Sequence, residues 1–122
     1  MSHLSIVPNR QQMWDCTTKC MEAQRECIAT LNYCLDQGGK YASVQLIRML
    51  LDTAAICQAT AESSRNETSL LRFSSSSCAE ICALCALSCR RFSDDAQMQT
   101  CADLCNRCSE SCQNMREFAA AA

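Results

Sequence analysis

The sequence has little of what breaks helices or builds strands. Its 122 residues include two glycines and one proline, and residues branched at Cβ are few. Glycine and proline mark turns, and β-branched side chains favour strands. Good helix formers, chiefly alanine, leucine, glutamine, arginine, glutamate and methionine, are plentiful. The composition predicts an all-α chain, and the length suits a single domain with one core, which we place at residues 1–122.

The chain also lacks an excess of charge and a long apolar segment. Its formal net charge is −2, with both signs mixed along the sequence. No basic block indicates a nucleic-acid partner, and no segment is apolar enough to span a membrane. The first ten residues have no cationic start followed by an apolar run, so they do not resemble a signal peptide. We therefore expect a cytoplasmic protein with neither a membrane nor a nucleic acid as its partner.

Cysteine is abundant, with thirteen in the chain. In an exported protein this density would indicate disulfides, but a cytoplasmic chain keeps its thiols reduced, and the density then favours metal or redox chemistry. On a helix, Cβ atoms four residues apart are about 5–6 Å apart, whereas a disulfide needs about 3.5–4.5 Å. One metal ion with bonds of about 2.3 Å spans two sulfurs about 4–4.6 Å apart. Cysteine pairs at this spacing suit a bridging ion better than a disulfide.

Eight of the cysteines form one pattern, C-x3-C-x2-C-x3-C, that occurs twice. The spacing of four, three and four residues places each set on one stripe of an α-helix. Such a stripe would ordinarily carry leucine or isoleucine facing a bundle core. A core lined with thiols instead favours a soft metal ion. The two sets are Cys78, Cys82, Cys85 and Cys89, and Cys101, Cys105, Cys108 and Cys112.

We place four helices at residues 9–36, 41–63, 68–92 and 95–118. Asn9 is the expected N-cap of the first helix, and Gly38 is expected just beyond its end. Thr68 or Ser69 is expected to cap the third helix, and Ser93 or Asp94 the fourth. Long helices with short connections predict an antiparallel up-down four-helix bundle with a cysteine-lined core.

The numbering supports this register. In an antiparallel pair, residues at one level have position numbers that add to a constant. The third and fourth helices meet this condition for Cys78 and Cys112, Cys82 and Cys108, Cys85 and Cys105, and Cys89 and Cys101. The same rule in the first pair of helices sets Cys20 level with Cys57, so we predict one layer of Cys20, Cys57, Cys78 and Cys112.

The first half of the chain carries the stripe in diluted form. The first helix supplies Cys16, Cys20, Cys27 and Cys34, and the second supplies Cys57 alone. Met13, Met98 and Met115 are in register with the stripe, although methionine at such positions is ordinary core. Four aromatic residues are expected to seal the ends of the bundle or a subunit interface: Trp14, Tyr33, Phe92 and Phe118.

The nearly pure thiolate ligand set favours Cu(I) over other soft metals. Structural zinc sites use four ligands, usually with a C-x2-C pair on a turn, whereas the pairs here lie within helices. The ferredoxin cysteine run is absent. Cu(I) accepts two or three sulfurs, which helical stripes supply repeatedly. We predict several Cu(I) ions per chain.

With these features the chain resembles the cytosolic copper storage proteins. The likeness rests on CAEICALCALSC in the third helix and CADLCNRCSESC in the fourth. It implies a four-helix bundle filled with Cu(I), all thirteen cysteines as ligands, and self-association as a tetramer. A copper chaperone or acceptor protein is a further candidate partner. Family members often have more cysteines, and Ala23, Thr30, Leu46 and Thr53 stand where some are expected. Histidine is common near the family's ion entrance, but the one histidine here is His3.

Two other functions remain open at this stage. A thiol redox sensor would need one or two accessible thiols of low pKa that form reversible disulfides. A degenerate bundle could serve as an interaction scaffold. No set of nucleophile, base and orienting residue is recognisable, so we expect chelation and no enzymatic activity.

Overall fold

The computed structural model describes residues 9–121, and their side chains as far as residue 115. Four α-helices are present: α1 (Arg10–Gln37), α2 (Val44–Asn66), α3 (Leu71–Arg90) and α4 (Ala96–Ala121). Residues 9–121 contain no strand, and none of their helices is long and apolar enough to cross a membrane. The predicted all-α bundle is confirmed. His3 and the side chain of Phe118 lie outside the described part of the chain.

The helices pack as a four-membered bundle. α1 packs against α2 and α4, and α3 packs against α2 and α4. Because successive helices are joined by short turns, they run antiparallel. One end of the bundle therefore carries the α1–α2 and α3–α4 turns, and the other carries the start of α1 and the α2–α3 turn.

Polar side chains cap three of the four helices. Asn9 caps α1 as predicted: its side chain accepts a hydrogen bond from the backbone N–H of Gln12 at 2.8 Å, and the side-chain oxygen of Gln12 accepts one from the backbone N–H of Asn9. Ser43 accepts from the N–H of Leu46 at the start of α2. At α4 the prediction of Ser93 or Asp94 was wrong, because Asp95 accepts from the N–H of Met98 at 3.0 Å. Such caps stabilise a helix by about 1 kcal/mol.

The turns shift two predicted helix starts. α1 ends at Gly38, whose φ of 71° is readily adopted by glycine, and a short 3-10 helix (Gly39–Ala42) follows, so α2 begins at Val44 rather than residue 41. α2 runs to Asn66 and ends where Glu67 takes the left-handed conformation, with φ of 54°. The turn that follows contains the predicted caps Thr68 and Ser69. α3 therefore begins only at residue 71, without a side-chain cap.

Sulfur and small side chains form the core. All thirteen cysteines have an exposed fraction of 0 %. Most of the other buried apolar residues are alanines, which allow close approach of the helices around the sulfur stripes. The larger buried apolar side chains are few: Leu46, Leu50, Leu71, Met98 and Met115.

An aromatic and acidic cluster closes the end that carries the α1–α2 and α3–α4 turns. The hydroxyls of Tyr33 and Tyr41 both donate hydrogen bonds to one carboxylate oxygen of Asp95. The ring of Tyr41 lies 4.4 Å from that of Phe92 and meets the ring of Tyr33 edge-on at 6.0 Å. We call Tyr33, Tyr41, Phe92 and Asp95 the tyrosine end. Tyr33 and Phe92 thus seal an end as predicted, whereas Trp14 is 67 % exposed and seals nothing within the chain.

Candidate metal centre

Ten of the cysteines gather into three groups of four, two of which share members. Within each group the four Sγ atoms lie within 4.8 Å of one another, and every member is buried. The terminal group lies towards the start of α1, the middle group follows it along the axis, and the turn-side group lies towards the tyrosine end. Their members are Cys20, Cys78, Cys108 and Cys112 (terminal), Cys57, Cys78, Cys82 and Cys108 (middle), and Cys27, Cys85, Cys101 and Cys105 (turn-side).

The separations between sulfurs on different helices suit a bound ion. Sγ of Cys20 lies 3.7 Å from that of Cys112 and 3.6 Å from that of Cys108. Cys57 and Cys82 are 3.5 Å apart, and Cys27 and Cys105 are 3.7 Å apart. With bonds of about 2.3 Å, as for zinc and thiolate, three sulfurs around one ion are about 4.0 Å apart. The sulfurs therefore need to move by only a few tenths of an ångström to hold an ion.

Cysteines four residues apart on one helix meet the same condition. Sγ of Cys78 lies 3.8 Å from that of Cys82, and Sγ of Cys108 lies 4.0 Å from that of Cys112. A disulfide would hold the two sulfurs about 2.05 Å apart. All thirteen cysteines are free thiols, as the helical spacing predicts.

The structure confirms most of the predicted register between α3 and α4. Three of the four predicted facing pairs share a group: Cys78 with Cys112, Cys82 with Cys108, and Cys85 with Cys105. In the fourth pair, contact with Cys101 and then Cys85 raises the pKa of Cys89 above its ordinary value.

The predicted layer of Cys20, Cys57, Cys78 and Cys112 is wrong in one member. Cys108 completes the terminal group, and Cys57 lies one level further along, between Cys78 and Cys82. Helices in a bundle interdigitate, so a side chain of one helix fits between two levels of its neighbours rather than into a flat layer.

Three cysteines outside or at the edges of these groups lie near the two ends of the core. Cys16 is close to Cys112 and Cys20, whose hydrogen bonds lower its pKa to about 5. Cys89 contacts Cys101 and Cys85. Cys34 donates its S–H to the thioether sulfur of Met98 at 3.6 Å.

The S–H groups within a group stabilise charge on selected sulfurs. Hydrogen bonds from Cys105, then from Cys27, hold the pKa of Cys101 well below its ordinary value. The pKa of Cys105 is raised, with its contact to Cys101 as the largest cause. A thiolate can therefore form beside neighbours that remain protonated. Each further proton must be displaced by a cation that replaces its charge.

Non-sulfur side chains occupy four positions of the stripe on α1 and α2. Ala23, Thr30, Leu46 and Thr53 are all buried. Thr53 donates its hydroxyl to the carbonyl of Met49 at 2.7 Å, and Thr30 accepts a bond from the amide of Gln97 at 2.9 Å. These hydroxyls are satisfied within the protein.

The polar residues that hold the ends of the core were not predicted from the sequence. Asp95 joins α4 to Tyr33 and Tyr41 of the first half of the chain, and only its position before a helix hinted at a role. Ser74 and Ser75 lie one turn before Cys78 and carry buried hydroxyls without a hydrogen-bond partner. Nothing in their local sequence distinguishes them from the neighbouring serines.

Comparison with known proteins identifies the architecture. The sequence profile of the copper storage protein family matches residues 9–117. The chain belongs to that family. No curated protein sequence matches it significantly.

Solved structures agree with this assignment. A protein of Nitrosospira multiformis is 30 % identical, with a TM-score of 0.82 over 93 % of this chain and 100 % of its own. A cytosolic copper storage protein from Streptomyces lividans, in a structure with five coppers, is 28 % identical, with a TM-score of 0.81 over 88 % of this chain and 93 % of its own. The Cu(I)-bound copper storage protein BsCsp3 is 24 % identical and shares the fold, with a TM-score of 0.80 over 86 % and 98 %.

Proposed function

We propose that this copper storage protein binds several Cu(I) ions along its bundle axis and thereby stores and detoxifies copper. One observation carries this proposal: three groups of four buried thiols whose sulfurs already lie within 4.8 Å of one another. Copper is the cargo, and the protein supplies a dry, sulfur-lined space that holds it.

The overlap between groups favours Cu(I) over zinc. The terminal and middle groups share Cys78 and Cys108. A closed zinc site uses four thiolates of its own, so two adjacent groups with shared members cannot both satisfy zinc in that way. Cu(I) needs two or three sulfurs, and thiolates favour it strongly. A continuous ladder of shared thiolates can then bind more ions than separate tetrahedral sites.

We infer that all thirteen cysteines are ligands. Each is buried, and each thiol exchanges its proton for a share of a cuprous ion, which avoids leaving a bare charge in the core. No step of catalysis is part of this function. The ligands are Cys16, Cys20, Cys27, Cys34, Cys57, Cys78, Cys82, Cys85, Cys89, Cys101, Cys105, Cys108 and Cys112.

Burial disfavours the redox-sensor alternative. A sensor thiol must be reached by its oxidant, whereas every cysteine here has an exposed fraction of 0 %. The Streptomyces relative also supports storage, since it has been loaded with 10 copper equivalents. That relative is called cytosolic, and we propose the same location for this protein.

Exposed apolar side chains support self-association. On α1, Trp14, Met21, Ile28 and Leu35 recur every seven residues and are all exposed. Phe73, Leu84 and Leu87 are exposed on α3, whereas residues 96–115 of α4 expose no large apolar side chain. Two separate apolar faces allow two kinds of symmetric contact, which together close a tetramer. A copper chaperone or acceptor protein is the further partner that we propose.

Anaerobic titration tests the function. Fully reduced protein is titrated with Cu(I) against a strong cuprous chelator, and in parallel with Zn(II). We expect several Cu(I) ions per chain to be withheld from the chelator, and far less zinc to be bound. Retention of no more than one cuprous ion would refute storage and favour the redox or scaffold function.

A further inference from the structure

A thioether sulfur faces the thiol of Cys34 at the tyrosine end of the core. The S–H of Cys34 points to Sδ of Met98, 3.6 Å away, and both residues have an exposed fraction of 0 %. Among the described residues, Cys34 is a member of none of the three groups of four thiols. The thioether of Met98 accepts its hydrogen bond.

The position of Met98 is fixed by the helix that carries it. Its backbone N–H donates to the carboxylate of Asp95, the N-cap of α4, at 3.0 Å. The same carboxylate is held by the hydroxyls of Tyr33 and Tyr41. These bonds anchor the first turn of α4 to the first half of the chain, so Met98 lies beside Cys34 within a closed end.

We propose that Met98 is a further copper ligand, which with Cys34 forms a mixed thiolate and thioether Cu(I) site at the tyrosine end. This inference rests on the proposed storage function. Thioether sulfur is a soft ligand suited to Cu(I). The two sulfurs are close enough to share one ion, for which a separation of about 4.0–4.6 Å is required with bonds of about 2.3 Å.

The chemistry of this site differs from that of the groups further inside. A thioether carries no negative charge, so it attracts a cation less than a thiolate does. Each of the three groups instead supplies four thiols that can become thiolates. The site of Cys34 and Met98 is therefore the last to fill and the first to release its ion.

Selenomethionine makes the proposed bond directly observable. The chain has six methionines, and replacing their sulfur by selenium allows X-ray absorption at the selenium edge to detect copper at bonding distance. In the full-length protein saturated with Cu(I), we expect a copper neighbour for selenium. The variant Met98→Leu should lose that signal and bind about one Cu(I) fewer per chain, because leucine retains the volume but has no ligand atom. Met115→Leu, a buried methionine at the other end, is the matched control and should retain both.

Each outcome decides the matter. No copper neighbour for selenium in saturated wild-type protein overturns the inference, as does a signal that survives Met98→Leu. The wild-type measurement does not depend on the folding of any variant. A wild-type protein that retains no Cu(I) against the chelator would instead refute the storage function itself, and so the two failures are distinguishable.

Discussion

The two hairpins of the bundle contribute unequally to the sulfur core. The hairpin of α3 and α4 carries eight cysteines, and that of α1 and α2 carries five, of which α2 has one. Each of the three groups takes three sulfurs from the second hairpin and one from the first: Cys20, Cys57 or Cys27. The second hairpin supplies most of the sulfurs of each group, and the first hairpin completes the groups.

Two variants, each lacking four thiols of one hairpin, test this inequality, and we expect the largest loss of bound copper from the variant of the second hairpin. Replacing Cys82, Cys85, Cys105 and Cys108 with serine takes two ligands from the middle group, two from the turn-side group and one from the terminal group. Serine is similar in size but is a harder, poorer ligand. We expect most bound copper to be lost, measured as Cu(I) retained per chain after competition with a chelator.

The matched variant replaces Cys16, Cys20, Cys27 and Cys34 with serine. It takes only one ligand from the terminal group and one from the turn-side group, and it leaves three thiols in each, enough for Cu(I). It should retain the larger share of its copper. Equal losses from the two variants would show that the thiols act as one uniform pool.

Within the second hairpin, a cysteine that belongs to two groups should contribute more to copper retention than a cysteine that belongs to one. Cys108 belongs to two groups, whereas Cys112, four residues later on the same helix, belongs to one. Cys108→Ser should therefore lower copper retention more than Cys112→Ser, by about one further ion per chain. Titration of both variants in parallel measures this difference, and a larger loss from Cys112→Ser would contradict it.

Asp95 links the two hairpins through hydrogen bonds from Tyr33 and Tyr41. Its replacement should change the titration of a tyrosine, a smaller effect than the loss of copper ligands. The bond from Tyr33 to Asp95 raises the pKa of Tyr33 to about 12. In Asp95→Asn the helix cap is retained, because asparagine is a good N-cap, but the negative charge is lost. We expect the pKa of Tyr33 to fall towards its ordinary value, measured by ultraviolet titration of the tyrosines. Asp94→Asn is the control and should leave the titration unchanged.

The two ends of α1 should differ weakly in the pH dependence of stability. Burial raises the pKa of Cys34 to about 11, from an ordinary value of 9.0. Between these values the folded protein keeps a proton that the unfolded chain loses, so the free energy of unfolding falls as the pH rises from about 9 to 11. In the reduced apo-protein, Cys34→Ser should flatten this fall, measured by denaturant unfolding.

Cys16 acts in the opposite direction and supplies the control. Hydrogen bonds, first from Cys112, lower its pKa to about 5, so it stabilises the folded protein as the pH rises from about 5 to 9. Cys16→Ser should flatten that rise and leave the alkaline range unaffected. A flattening of the alkaline fall by Cys16→Ser would refute the assignment.

The register within the second hairpin was predictable because a short turn fixes which residues of two antiparallel helices are level. The register between hairpins was not. Nothing in the local sequence states how far α2 is displaced along the axis from α3 and α4, and this displacement sets Cys57 in the middle group rather than beside Cys20. Interdigitation of four helices decides it, and that is a property of the whole core.

The helix caps also show which features the local sequence decides and which depend on contacts between distant residues. Asn9 was predictable because Gln12 follows at the right spacing to complete a reciprocal pair of bonds. Before α4, three consecutive candidates, Ser93, Asp94 and Asp95, satisfy the same local preference. The tyrosines of the other hairpin also bind Asp95. A contact across more than fifty residues of chain leaves no signal in the sequence around α4.

The complete burial of the thiols determines how a partner protein can distinguish the empty from the filled molecule. The sulfurs are already close together and no cysteine reaches the surface. Empty and filled molecules would thus present the same exterior while differing in mass. A partner that must distinguish them has to sense the ends of the bundle, since its sides carry no record of the cargo.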